Sequence, residues 1–175
     1  IRPRVNHSVD TVAWLGGNPN TNFAGTRQYS DVFQDGENWM TNHLVDMTVQ
    51  MNYKREFDVS QKPDFRLWAD FLANLAATSG RFGMDGNGAY LNSISDSVIQ
   101  MQYDRSTGCT GMCNYSYAVP NSGTVDRPGF LNAVDTNLYQ TPAPVPDMPW
   151  KTAPTTGIIF GNVTNAALPN DPIYQ

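Results

Sequence analysis

The sequence predicts an α/β fold of four strand–helix units, enough for the C-terminal half of a (β/α)8 barrel. Three observations carry this expectation. Strand-like segments begin near residues 5, 45, 81 and 111, and a helical pattern follows each. Such alternation favours a parallel sheet with helical crossovers. About 140 residues precede a proline-rich stretch, whereas a complete barrel needs about 250. The competing open, doubly wound sheet is disfavoured by its missing signature. The stretch GMDGNG (83–88) lacks the spacing of a phosphate-binding loop and falls within a strand.

The elements follow in order. VNHSVDTVAW (5–14) reads as the first strand, and a Gly/Asn/Pro-rich loop succeeds it. Residues 28–44 place Tyr29, Val32, Phe33, Trp39, Met40 and Leu44 at helical spacing, interrupted at Gly36. VDMTVQMN (45–52) alternates strictly and reads as the second strand, ending in a knot of charge at Lys54, Arg55, Glu56 and Asp58. Its apolar parity (Val45, Met47, Val49, Met51) is expected to face the helices. Its polar parity (Thr48, Gln50, Asn52) is expected to face the barrel axis. KPDFRLWADFLANLAAT (62–78) is the clearest helix, with Pro63 in its first turn and Gly80 just past its end. RFGMDGNGAYL (81–91) is a glycine-laden third strand, 93–105 a helix capped by Ser93 or Ser95, 111–119 a fourth strand and 129–139 a final helix. Three segments result: the barrel half at 1–140, a Pro-rich strap or linker at 141–157, and at 158–175 the start of a truncated β-sandwich-like module or tail.

Bulk composition narrows the class. The chain of 175 residues is 40% hydrophobic and only 15% charged, which suits a packed domain rather than a disordered tail. Net charge is −5, and Lys and Arg are scattered, so no nucleic-acid footprint is present. No apolar run approaches the roughly 20 residues that span a bilayer. The chain opens on Ile1 without a signal-peptide pattern, as expected of a processed or partial sequence. No cofactor motif appears, and His7 and His43 stand far from the two cysteines, so no metal site is expected. Cys109 and Cys113 can form a disulfide only if the chain turns at Gly108 or Gly111; two buried free thiols are the alternative.

Four stretches, MNYKREFDVSQKPDFRLWADF, GAYLNSISDSVIQM, NYSYAVP and FLNAV followed by TPAPVPDMPWKTAPTTG, resemble the C-terminal half of the glycosyl-hydrolase-like 10 family. The resemblance covers roughly residues 5–157 and implies strands five to eight of a TIM barrel. It implies a bacterial, extracytoplasmic glycosidase-like protein acting on a cell-wall or related polysaccharide. It also implies that the fourth strand, with a carboxylate-rich motif, belongs to a half lying before Ile1. The partner of this chain would then be that missing half or further copies of itself.

Barrel active sites lie at the C-terminal ends of the strands, and glycoside hydrolysis generally needs two carboxyl groups. Glu56 is the leading carboxylate at a strand end, with Asp10 on the inward parity of the first strand as second candidate. Arg55 or Lys54 would tune the acid or bind a sugar-acid group. Aromatic faces and neutral hydrogen-bonding groups suit sugars. Strand ends supply Trp14, Asn52, Tyr53, Tyr90, Asn92, Tyr115 and Tyr117 as candidate binding residues. A non-catalytic carbohydrate-binding or structural protein that self-associates through exposed half-barrel edges is the alternative.

Overall fold

A computed structural model describes residues 7–155 and two short strands at 164–165 and 168–172. The expectations for residues 5 and 6, and for a strand opening at 158, lie outside the described residues. The chain divides into two compact units, Ile1–Pro144 and Val145–Gln175.

The first unit is an α/β fold around a four-stranded sheet. Its strands are β1 (Ser8–Val12), β2 (Met47–Asn52), β3 (Phe82–Gly88) and β4 (Gly111–Tyr115). They pair in sequence order, and every pair is parallel. Between β1 and β2 lie the short helices α1 (Arg27–Ser30) and α2 (Gly36–Thr41). The sequence places the interruption at Gly36; the break in fact falls before it, where Asp35 caps α2 by accepting from Asn38 N. Helix α3 (Gln61–Ser79) stops at Gly80, whose φ of 63° is the left-handed conformation that glycine adopts at least cost. Helix α4 (Ile94–Thr107) starts where the Ser93 hydroxyl accepts from Asp96 N at 3.1 Å. Helix α5 (Arg127–Leu138) is capped by Asp126.

The second unit holds one helical turn, α6 (Pro149–Thr152), and an antiparallel pair, β5 (Thr164–Asn165) with β6 (Leu168–Pro172).

Register decides which side chains share a face. Thr48, Gln50 and Asn52 stand beside Gly83, Asp85 and Asn87. This face meets the helices: Thr48 bonds Met40 Sδ of α2, Gln50 and Asn52 donate to the Trp68 and Phe65 carbonyls of α3, and Asn87 donates to Asp104 of α4. The expected facing of β2 is therefore inverted. Its polar parity packs against the helices, and Met47, Val49 and Met51 lie on the opposite face with Phe82 and Met84. The physical reason is that Gln50 and Asn52 find partners on that face in α3 carbonyls and in the Asp85 carboxylate, while Gly83 makes room for Leu72 and Ala76. Gly86 is required by close approach, because a Cβ there would run into the Gln50 carbonyl oxygen of β2.

Two apolar clusters complete the packing. One joins Ala13, Phe23, Met40, Trp68, Phe71, Leu75 and Ala76; the other joins Ala89, Val98, Met101, Phe130 and Leu138. The first anchors the end of β1 to α3, and the second anchors α4 to α5. Trp68 and Phe65 are fully buried, so each removes a large apolar side chain from water, contributing about 1.5–3 kcal/mol.

Candidate functional site

The C-terminal strand ends carry a cleft of about 530 Å³. Val12, Trp14, Met51, Tyr53 and Tyr90 form its walls, with Arg27 and Lys54 as its charged residues. Parallel pairing puts Val12 beside Met51, and the chain leaving each strand delivers Trp14 and Tyr53. Tyr53 stacks on Tyr115 with ring centres 5.6 Å apart, and Tyr90 meets both edge-on at 6.1 and 6.0 Å. Burial pushes the Tyr53 hydroxyl upward, and neighbouring Cys113, Tyr90, Tyr115 and Asp10 add to it. Arg27 lies over the Trp14 ring at 4.9 Å. Four of the sequence candidates thus form one aromatic group: Trp14, Tyr53 and Tyr90 on the cleft, with Tyr115 supporting it.

The other candidates fall elsewhere. Tyr117 is exposed and lines a separate cavity of about 240 Å³ with Asn114, Arg127, Phe130 and Val134. The Arg55 side chain is exposed, while its backbone N–H donates to Gln61 Oε1. Asp10 is exposed on the same face as Val49 and Met51, two residues before Val12.

Asn52 and Asn92 are fully buried and hold the loops in place. Asn52 donates to the Phe65 carbonyl at 3.0 Å and to Asp85 at 2.9 Å, and accepts from Lys54 Nζ at 2.6 Å. Asn92 accepts from Glu56 N at 2.8 Å and donates to the Lys54 carbonyl at 2.9 Å. Neither carboxamide reaches the cleft.

Glu56 is occupied as well. Arg66 grips both its oxygens at 2.7 and 2.8 Å, and Lys62 adds a contact at 2.9 Å. Burial pushes its carboxyl upward, but the hydrogen bonds from Arg66 and Lys62 outweigh that and hold it below the usual carboxylate range. A low, bidentately paired carboxylate is a poor proton donor, and Glu56 is not among the cleft-lining residues. The charge knot therefore ties the β2–α3 loop to α3.

Lys54, two residues earlier, is 2% exposed and committed inward. Its ammonium donates to the Ala13 carbonyl and to Asn52, and pairs with Asp64 at 3.2 Å. Burial pulls its pKa down, against the opposing charges of Asp64 and Asp85. Its bond to Ala13 fixes the residue immediately before Trp14.

Cys109 and Cys113 are both free. The disulfide does not form because the thiols point to opposite sides of the sheet. Cys113 shares the open face with Gly86, and Cys109 contacts the Ala69 carbonyl of α3 at 3.7 Å. The alternative of two buried thiols also fails, since Cys113 is exposed.

The sequence reading missed the buried carboxyl pair Asp85 and Asp104. Both are fully buried. Burial drives Asp85 up to about 6, against hydrogen bonds from Asn52, Asp104 and Gln50. Burial, reinforced by the charge of Asp85, drives Asp104 up to about 9. The pair shares a proton at neutral pH, and Asp104 donates it to Asp85. A signal existed: Thr48, Gln50, Asn52, Asp85 and Asn87 repeat on one parity of adjacent strands, as expected of a polar buried layer. Arg27 had no comparable signal, being brought to Trp14 only by the turn of the loop between them.

Among the described residues, no group of three His, Cys, Asp or Glu side chains could hold a metal ion, and no helix is long and apolar enough to cross a membrane. No protein family, curated protein or solved structure matches this chain.

Proposed function

We propose that the chain is the carbohydrate-binding half of a glycosidase-like TIM barrel, acting on a cell-wall or related polysaccharide. The aromatic cleft at the C-terminal strand ends carries this reading. Trp14, Tyr53 and Tyr90 offer flat apolar faces beside polar groups, the combination that packs against the C–H face of a sugar ring. The half-barrel reading is supported by four parallel strands in sequence order with α2, α3 and α4 on one face. A doubly wound sheet would carry helices on both faces.

Hydrolysis generally needs two carboxyl groups, and the residues lining this cleft include none. Asp10 is the carboxylate this half presents on the open face, and Glu56 is held by Arg66 and Lys62. Binding is therefore assigned to this chain and cleavage to a complete barrel. Titration of the chain with soluble oligosaccharides, followed by tryptophan fluorescence and calorimetry, tests the reading. Binding that Trp14→Ala weakens supports it; a folded chain that binds no oligosaccharide refutes it.

A second reading has its own observation. Among the described residues, Met47, Val49, Met51, Phe82 and Met84 are only half-buried while the residues of the helix-facing side are buried, and β1 and β4 are edge strands. Such a surface suits self-association into a closed eight-stranded sheet. Sedimentation velocity decides it: a well-folded monomer at high concentration excludes obligatory association.

A further inference from the structure

We infer that the cleft selects a glycan bearing an anionic substituent, with Arg27 as the residue that reads it. This rests on the carbohydrate reading above and adds the substrate class. The cleft is lined by two cations and no carboxylate. Its cations differ in what they have left to offer. Lys54 spends its ammonium on Ala13, Asn52 and Asp64, and its side chain is 2% exposed. Arg27 makes a single side-chain hydrogen bond among the described residues, from Nε to Asp31 Oδ2 at 2.7 Å. The terminal nitrogens of its guanidinium remain available.

That guanidinium is also held in place. The Asp31 contact joins it to its own helix one turn on, and the Trp14 ring lies 4.9 Å from its central carbon. An oriented guanidinium loses less freedom when it takes up an anion, and its terminal edge matches the paired oxygens of a carboxylate or sulfate ester. The Asp31 contact uses only Nε, so both terminal nitrogens of Arg27 are left for a ligand's oxygens. The sugar ring packs on the aromatic wall, and its charged group turns to Arg27.

Calorimetric titration of the full chain tests this with two pairs of probes: an oligogalacturonate and its methyl ester, and a sulfated neutral oligosaccharide and its unsulfated parent. The acid is expected to bind about tenfold tighter than its ester, as one charge-assisted hydrogen-bond pair would give. Arg27→Gln should bring the acid down to the affinity of the ester measured in the same variant, and Arg27→Lys should restore part of the preference. Preference for the sulfated oligosaccharide alone, again erased by Arg27→Gln, supports the inference with sulfate as the anion. Equal binding within both pairs, or a preference that survives Arg27→Gln, overturns it and leaves the carbohydrate reading intact. Failure of every probe to bind a chain shown folded by circular dichroism overturns both. Arg27 is exposed, so its variants are expected to fold; shifts of the Trp14 indole resonance in the unmodified chain provide a readout independent of them.

Discussion

Replacing Asp104 by Asn should stabilise this chain by an amount that grows as pH rises from mild acid to mild alkali. Asp104 and Asp85 are fully buried between β3 and the helices, and Asp104 keeps its proton up to about 9. An unfolded Asp releases its proton near 4. A folded-state value raised in this way gives stability that is present at low pH and lost as pH rises through the folded value. Between those limits the folded chain holds one proton that the unfolded chain does not. Each pH unit then removes about 1.4 kcal/mol, or ~3 kcal/mol from pH 6 to pH 8. An amide at position 104 copies the protonated acid: its oxygen can accept from Asn87, and its nitrogen can donate to Asp85. The variant should therefore match the parent only below about pH 4, where the unfolded Asp is protonated too, and its advantage should grow by ~3 kcal/mol from pH 6 to pH 8. Lys54, whose pKa burial lowers, contributes stability that rises with pH, but it does so in both proteins and drops out of the difference. Urea denaturation followed by tryptophan fluorescence measures this. With a denaturant slope of about 1–3 kcal/mol per molar, the gap between the two midpoints should widen by about 1 M or more from pH 6 to pH 8. A parent–variant difference that stays constant from pH 6 to pH 8 would show that Asp104 is ionised in the folded state and refute the reasoning.

Three further outcomes are expected. Glu56→Gln should cost about 1–3 kcal/mol in thermal or urea unfolding by weakening the Arg66 and Lys62 contacts, while oligosaccharide affinity stays unchanged; a selective loss of binding would instead place Glu56 in the site. Cys113 should react with a thiol reagent at neutral pH much faster than Cys109, whose thiol burial pushes up to about 12, and mass spectrometry of the labelled peptides checks the order. Gly86→Ala should destabilise by about 1–3 kcal/mol, because the new methyl meets the Gln50 carbonyl and parts β2 from β3; unchanged unfolding would show that the strands can separate at little cost.

The elements were legible because they rest on local rules. Apolar spacing and Gly80 defined α3, alternation defined β2, and a serine cap at 93 or 95 marked the start of α4. The aromatic members of the cleft could be named for the same reason: a residue following a parallel strand must emerge at its C-terminal end. What failed was the choice of face. Alternation gives two parities to β2 but does not say which meets the helices, and the usual preference for apolar contact pointed the wrong way. The α3 carbonyls and the carboxyl of Asp85 reversed it, turning Gln50 and Asn52 inward.

The sequence by itself determined an α/β chain with aromatic residues at its strand ends. Spacing, caps and turns act over a few residues, so this much is written locally. Only the tertiary structure decided the partners across long separations: Glu56 with Arg66, Lys54 with Ala13, Asp85 with Asp104 and Arg27 with Trp14. Each pair forms because the sheet register and the docking of the helices bring distant segments together. Whether a charged residue becomes a strut or stays open to a ligand depends on that meeting, which is why Glu56 is bound into the fold and Arg27 still offers its guanidinium to the cleft.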